Sequence, residues 1–177
     1  MTNEYLIAGF GGQGLLFAGK FLVNKGMMEG KEVSWLPSYG PEMRGGTASC
    51  SVIISDEPVG SPIVSKPNVL MVMNLPSLDK YESTVKPGGK IFLDSSLIDR
   101  KVERTDVEAY YVPATQMASD NGLSGLANMI LAGKLMKEMG DFEDEEAVIN
   151  SLKKVVSVKH PEMFEKNLQA LKLGRDY

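Results

Sequence analysis

Twice within the first 46 residues the chain runs from an apolar segment straight into a glycine-rich loop. Gly9-Phe-Gly-Gly-Gln-Gly14 follows Tyr5–Ala8, and Pro37-Ser-Tyr-Gly-Pro-Glu-Met-Arg-Gly-Gly46 follows Val33–Leu36. Glycine reaches positive φ at little steric cost and lets another molecule approach its backbone N–H closely. If both loops sit at the ends of neighbouring strands, they form one polar rim whose side chains are Gln13, Ser38, Tyr39, Glu42 and Arg44. A packed core has little use for such a rim, whereas a binding edge does.

The rest of the pattern supplies a sheet behind that edge. Leu15–Met28 carries apolar residues at helical spacing and runs towards Gly30, a fitting stop. Ala48–Ser55 and Val107–Val112 read as strands, and Val69–Met73 is apolar throughout, as a strand covered on both faces should be. A short helix is expected over Ser77–Val85, then a strand over Lys90–Leu93. Beyond Pro113 the pattern turns helical. One helix is expected from a Ser124 cap to Met139 with Gly140 as its stop, a second opens at Asp144-Glu-Glu146, and a third spans Pro161–Leu173. With 177 residues and no long linker, the expectation is a single domain over residues 1–177. Its fold class is α/β: a three-layer, Rossmann-like sandwich with a largely parallel or mixed central sheet and a helical C-terminal region.

Scarce residues narrow the chemistry. A formal net charge of -4 and a pI near 5.1 argue against a general nucleic-acid binder, which needs a basic face. No apolar run approaches the ~20 residues of a membrane span, and the acidic start Met1–Glu4 does not resemble a signal peptide, so a cytoplasmic location is expected. One cysteine, Cys50, cannot make an internal disulfide or furnish the cysteine ligands of an iron–sulfur cluster. Period-two alternation groups it with Ala48, Val52 and Ile54, as a small buried hydrophobe. The single histidine, His160, stands before Pro161 at an expected helix start, on the surface. No Ser-His-Asp or Cys-His arrangement can be built beside the glycine loops, and no residue is assigned a catalytic or metal-binding role.

Gly9, Gly11 and Gly14 satisfy the G-x-G-x-x-G spacing of a dinucleotide site between strand and helix. That site also expects a carboxylate at the end of the next strand to hold a ribose. Here Pro37 and the second glycine loop occupy that place, which argues against NAD or FAD. The helix N-terminus still favours an anion, whether phosphate, carboxylate or a partner's carbonyl edge. In the second loop Arg44 is the only cation between Lys31 and Lys66, and its guanidinium can grip a carboxylate or phosphate with two hydrogen bonds.

Together Gly9–Gly14, Ser38-Tyr-Gly-Pro-Glu-Met-Arg-Gly-Gly46 and Ser55-Asp-Glu-Pro58 resemble the gamma subunit of 2-oxoacid:ferredoxin oxidoreductases. The likeness continues through Lys66-Pro-Asn-Val-Leu70, Asn74-Leu-Pro-Ser-Leu78, Lys86-Pro-Gly-Gly89 and Asp94-Ser-Ser96, and thins after about residue 115. The Asn74 and Pro76-Ser77 region is most similar to the 2-oxoglutarate and branched-chain 2-ketoacid branches. The resemblance implies an enzyme that decarboxylates a 2-oxoacid on thiamin diphosphate, forms an acyl-coenzyme A and passes electrons to ferredoxin. It implies that thiamin diphosphate, Mg and the iron–sulfur clusters sit on alpha, beta and ferredoxin-like delta partner subunits, with coenzyme A as a substrate and no cofactor on this chain. The rim expected to hold coenzyme A or a partner is Gly11, Gly12, Gln13, Gly14, Ser38, Tyr39, Gly40, Arg44, Gly45, Gly46 and Thr47. A stand-alone nucleotide- or coenzyme-A-binding module, and the equivalent subunit of indolepyruvate ferredoxin oxidoreductase, are the alternatives.

Overall fold

The apolar run Tyr5–Ala8 forms the middle of a longer strand, β1 (Thr2–Phe10), which lies inside a six-stranded sheet. In the computed structural model, which describes residues 1–38 and 47–177, the other strands are β2 (Glu32–Ser38), β3 (Thr47–Ser55), β4 (Val69–Val72), β5 (Lys90–Asp94) and β6 (Glu108–Val112). Their order is β2-β3-β1-β4-β5-β6. β1, β4, β5 and β6 are mutually parallel, while β3 runs antiparallel to both β1 and β2. The sheet is therefore mixed, with β3 as its reversed strand.

That reversal corrects one expectation. β1 and β2, which lead into the two glycine loops, point the same way but are not neighbours, because β3 lies between them. The register nonetheless keeps the flanks of both loops on one edge: Thr47 stands opposite Phe10, and Ser38 opposite Ser49.

Alternation along the strands divides the core. Tyr5, Ile7, Cys50, Val52, Met71 and Phe92 face a large helical layer, and Leu6, Ala8, Leu70, Val72, Ile91 and Leu93 face a smaller one. Burying each such side chain contributes ~1.5–3 kcal/mol. The helices are α1 (Leu15–Met28), α2 (Leu75–Tyr81, followed by a 3₁₀ turn at Glu82–Thr84), α3 (Ala114–Asp120), α4 (Ala127–Met139), α5 (Glu145–Val155) and α6 (Glu162–Asp176). Only α2 contributes to the smaller core, through Leu78. Among the described residues no helix is long and apolar enough to cross a membrane.

Local chemistry sets the boundaries. Asn74 caps α2, its Oδ1 accepting from the Ser77 N–H at 2.8 Å, so the helix starts before Ser77, with Pro76 in a first turn that needs no N–H from it. Asp144 caps α5 by accepting from Ala147 N–H, and Gly140 ends α4 at φ 74°. The helix expected from Ser124 begins instead at Ala127, after a turn in which the Leu126 N–H donates to Leu123 O. α3 is a seven-residue helix that the sequence does not announce, being polar, short and opened by Pro113. His160 is exposed and Cys50 buried, as the sequence suggests.

α4 is buried almost all round, and α6 packs along it at backbone contact. A Cβ placed on Gly174 would stand 1.7 Å from Ile130 O, and one on Gly133 would stand 2.0 Å from Leu171 O. Neither carbonyl can retreat without distorting its helix. Gly174→Ala should therefore cost at least the ~1–3 kcal/mol of ordinary overpacking. At ~2–4 °C per kcal/mol for a chain of this size, the melting temperature should fall by at least ~2–12 °C. Gly60→Ala, where a Cβ meets nothing within 4 Å, should leave a calorimetric scan unchanged.

Candidate functional site

Between Phe10 and Leu15 the chain must turn from strand into helix, and hydrogen bonds at Gly14 and Gln13 fix how it does so. Gly14 occupies the N-cap of α1 at φ 75°, in the left-handed region. Its carbonyl accepts from Ala18 N–H at 3.1 Å and from the Nδ2 of Asn128, on α4, at 2.9 Å. Gln13 spends both ends of its amide on the fold: Oε1 accepts from Phe10 N–H at 2.6 Å, and Nε2 donates to Met73 O at 3.0 Å. Gln13 thus holds the loop to the end of β4 and is not free to reach outward as the sequence suggests. Gly12 is what remains on the outside. It is exposed at φ 91°, and a Cβ there would meet nothing within 4 Å.

Beside this loop lies a cavity of about 440 Å³ lined by Gly12, Gln13, Met73, Thr115, Ser124 and Ala127 among others, with Leu97 at 47% exposure contributing an apolar wall. Its position follows from topology. The chain leaves β1 through α1 on one face of the sheet and leaves β4 through α2 on the other, so a crevice opens where the two paths diverge. Crevices of this kind at the carboxyl ends of strands are the ligand sites of open α/β sheets. Among the described residues, none that lines the cavity is charged. α1 and α4 both begin without a side-chain cap and without an acidic residue in the first turn, so each presents unopposed N–H dipoles towards this end of the molecule.

The nearest buried carboxylate, Asp94 at the end of β5, is fully engaged. It accepts from Ser96 N–H at 3.0 Å, from Thr115 N–H, and from the Thr115 hydroxyl at 2.6 Å, which locks α3 to the sheet. Cys50 lies behind the loop with its Sγ 3.6 Å from Leu15 O, and burial pushes its thiol up to about 12, so it remains a neutral packing group. Among the described residues, no three His, Cys, Asp or Glu side chains gather where a metal ion would sit.

Of the residues singled out in the sequence, Gly11, Gly12, Gln13 and Gly14 form the loop beside the cavity. Ser38 and Thr47 lie on the same edge but on the far side of β1, outside the cavity wall. Tyr39, Gly40, Glu42, Arg44, Gly45 and Gly46 lie outside the described residues. Asn128 and Thr115 carry no site role in the sequence, and Ser124 is read there only as a helix cap. Asp94-Ser-Ser96 at a strand end was the available signal for Thr115's partner, whereas nothing local marks Asn128. The place beside β1 where a dinucleotide fold puts its ribose-binding strand is taken here by β3, running the wrong way to end at this edge.

Comparison with known proteins gives a consistent picture. A family model described as pyruvate ferredoxin/flavodoxin oxidoreductase matches residues 4–177. Ketoisovalerate oxidoreductase subunit VorA of Methanothermobacter marburgensis is 40% identical over 97% of this chain, which spans only 35% of VorA's length. 2-Oxoglutarate synthase subunit KorC of Methanocaldococcus jannaschii is 34% identical, with 97% of this chain and 95% of KorC covered. The solved gamma subunit of a keto/oxoacid ferredoxin oxidoreductase from Geobacter sulfurreducens superposes with a TM-score of 0.82 at 27% identity, covering 98% of this chain and 96% of that one.

The Gly14–Asn128 contact makes a sharp test of the loop. A Cβ on Gly14 would stand 2.4 Å from Asn128 Nδ2, a collision added to the ~1–3 kcal/mol of left-handed strain. Asn128→Ala alone should cost ~1 kcal/mol for the lost hydrogen bond. Combining the two should cost less than the sum, because the truncated residue no longer obstructs the new methyl. Urea unfolding of the four proteins measures the coupling, and strictly additive costs would show that Asn128 does not shape the turn.

Proposed function

This chain belongs to the pyruvate ferredoxin/flavodoxin oxidoreductase family, and we propose that it acts there as the gamma subunit of a 2-oxoacid:ferredoxin oxidoreductase. The observation that carries the reading is an uncharged crevice at the switch point of the sheet, beside exposed glycine backbone and two uncapped helix starts. Coenzyme A has the matching chemistry: a long uncharged arm that suits such a crevice, and anionic phosphates that suit N–H dipoles. In this reading the chain forms the coenzyme A side of the active site and supplies no reacting group. Thiamin diphosphate with Mg and the iron–sulfur clusters belong to alpha, beta and ferredoxin-like delta subunits, and electrons leave through those partners to ferredoxin. A chain whose one cysteine is buried and neutral has no means of holding a cysteine-ligated cluster itself. The relatives are named for ketoisovalerate and 2-oxoglutarate, which supports a 2-oxoacid as the substrate class. The subunit reading is also supported by KorC, of which this chain covers nearly the whole length.

Two outcomes are expected. The chain purified alone should be colourless and should not reduce an artificial acceptor with any 2-oxoacid, and co-expression with its companion subunits should restore activity. A stoichiometric flavin or iron–sulfur spectrum from the isolated chain would end the proposal.

Arg44 supplies the finer test, since the described crevice offers no charged group to meet a phosphate. Arg44→Ala should remove a charge-assisted hydrogen bond worth ~1.5–3 kcal/mol. That corresponds to a roughly ten- to hundredfold rise in KM for coenzyme A, with KM for the 2-oxoacid nearly unchanged. Arg44→Lys should recover little, because an ammonium lacks the planar fork. Equal losses for both substrates would move Arg44 to a subunit contact.

A further inference from the structure

Among the described residues, the sheet face that carries α2 has no helix laid over β2 and β3. α1 packs on the opposite face of both strands, while α2 packs against β1 and β4. On the bare side the register sets Leu36 beside Ser51, Ser38 beside Ser49, and Phe10 beside Thr47. Phe10 and Leu36 are each 39% exposed, and Leu75, the first residue of α2, is 38% exposed.

Among the described residues, charge is missing from this half of the face. Glu4 and Glu32 share it, but at the far end, level with Ile53 and Ser55, and Glu4 is already paired with Lys86. From Ser34 upward to the glycine edge, the strand residues on this face are hydroxyl-bearing or apolar. β2 is moreover the outermost strand, where exposed sheets ordinarily place lysines and other charges to repel unwanted pairing. A surface that keeps large apolar groups and sheds charge has the composition of an interface core.

We infer that this patch, centred on Leu36 and Phe10 and bordered by Leu75, is where a neighbouring subunit of the same oxidoreductase seats. The inference rests on the gamma-subunit reading. Three observations favour that occupant. The patch is continuous with the glycine edge, since Phe10 leads directly into the first loop and Ser38 and Thr47 flank the second. The matched unit is nearly the whole length of KorC but about a third of VorA, so one relative carries further chain for which such a surface offers a seat. A second copy of this chain is the weaker fit, because extending the sheet through β2 would meet Pro37, which lacks a backbone donor. The partner surface that suits the patch is uncharged and apolar, with room for hydroxyl contacts. Seated there, it would close one side of the glycine edge against water.

The test uses the co-expressed complex carrying Leu36→Lys or Phe10→Lys, with Val158→Lys, at a loop position 93% exposed, as the control. Each patch variant should raise the concentration at which the complex falls apart by about tenfold or more, the scale of an interface anchor. Leu36→Ser, which adds no charge, should give a smaller shift in the same direction. The isolated variant chains should melt as the wild type does, and Val158→Lys should assemble normally. Complexes that hold together equally well with all three patch variants would overturn the inference. So would variants that abolish self-association of the isolated chain while leaving the heteromeric complex intact. If the wild-type chain does not co-purify with its companion subunits, the gamma-subunit reading itself fails and this inference falls with it.

Discussion

The carbonyl of Gly14 takes one hydrogen bond from α1 and another from the Asn128 side chain of α4, and most of the glycine edge depends on that junction. A polar side chain as deeply buried as Asn128 needs a partner, since an unmet donor costs ~1–3 kcal/mol. Meeting it at Gly14 ties the helix layer to the carboxyl end of β1. Gln13 makes the corresponding tie sideways, from Phe10 to Met73 at the end of β4. With Gln13 and Gly14 both anchored, the exposed backbone of Gly12 sits on the outside of a turn that is pinned on its C-terminal side. α4 then lies close enough to the sheet to be buried on nearly every side, and only Gly133 and Gly174 allow α6 to cover it.

The sequence carried much of this fold because its strongest signals were local. A glycine at positive φ between strand and helix, a fully apolar run in a doubly covered strand, and an acidic opening of α5 at Asp144 each act within a few residues, and each appears where expected. What was not legible is set by distance. Nothing in Thr47–Ser55 says that it inserts between β1 and β2, because an alternating strand reads the same in either direction. Asn128 meets Gly14 across 114 positions, so its role exists only in the folded chain. Gln13 was legible as a rim residue, but whether its amide faced outward or inward depended on Met73. α3 escaped because seven residues hold too little periodicity to stand out.

The same glycine spacing serves a different purpose here than in a dinucleotide fold. There the strand beside β1 ends at the ligand and brings a carboxylate; here the neighbour is reversed and brings the start of β3 instead. The crevice loses its ribose anchor and gains an edge whose flanks lead into a second glycine loop. A ligand held at such an edge is contacted by backbone and dipoles, with the specific charge supplied from elsewhere. Under the proposed subunit role, an edge whose described residues gather no metal-ligand cluster would gain its chemistry from what is brought against it.

Hydrogen–deuterium exchange on the assembled enzyme, with and without coenzyme A, tests the central claim most directly. Adding coenzyme A should slow exchange of the backbone amides from Phe10 to Leu16 and around Ser124–Ala127, the loop and helix starts that border the crevice. Protection confined to peptides elsewhere in this chain, or an exchange pattern for this chain that coenzyme A leaves untouched, would contradict the assignment of the glycine edge to that substrate.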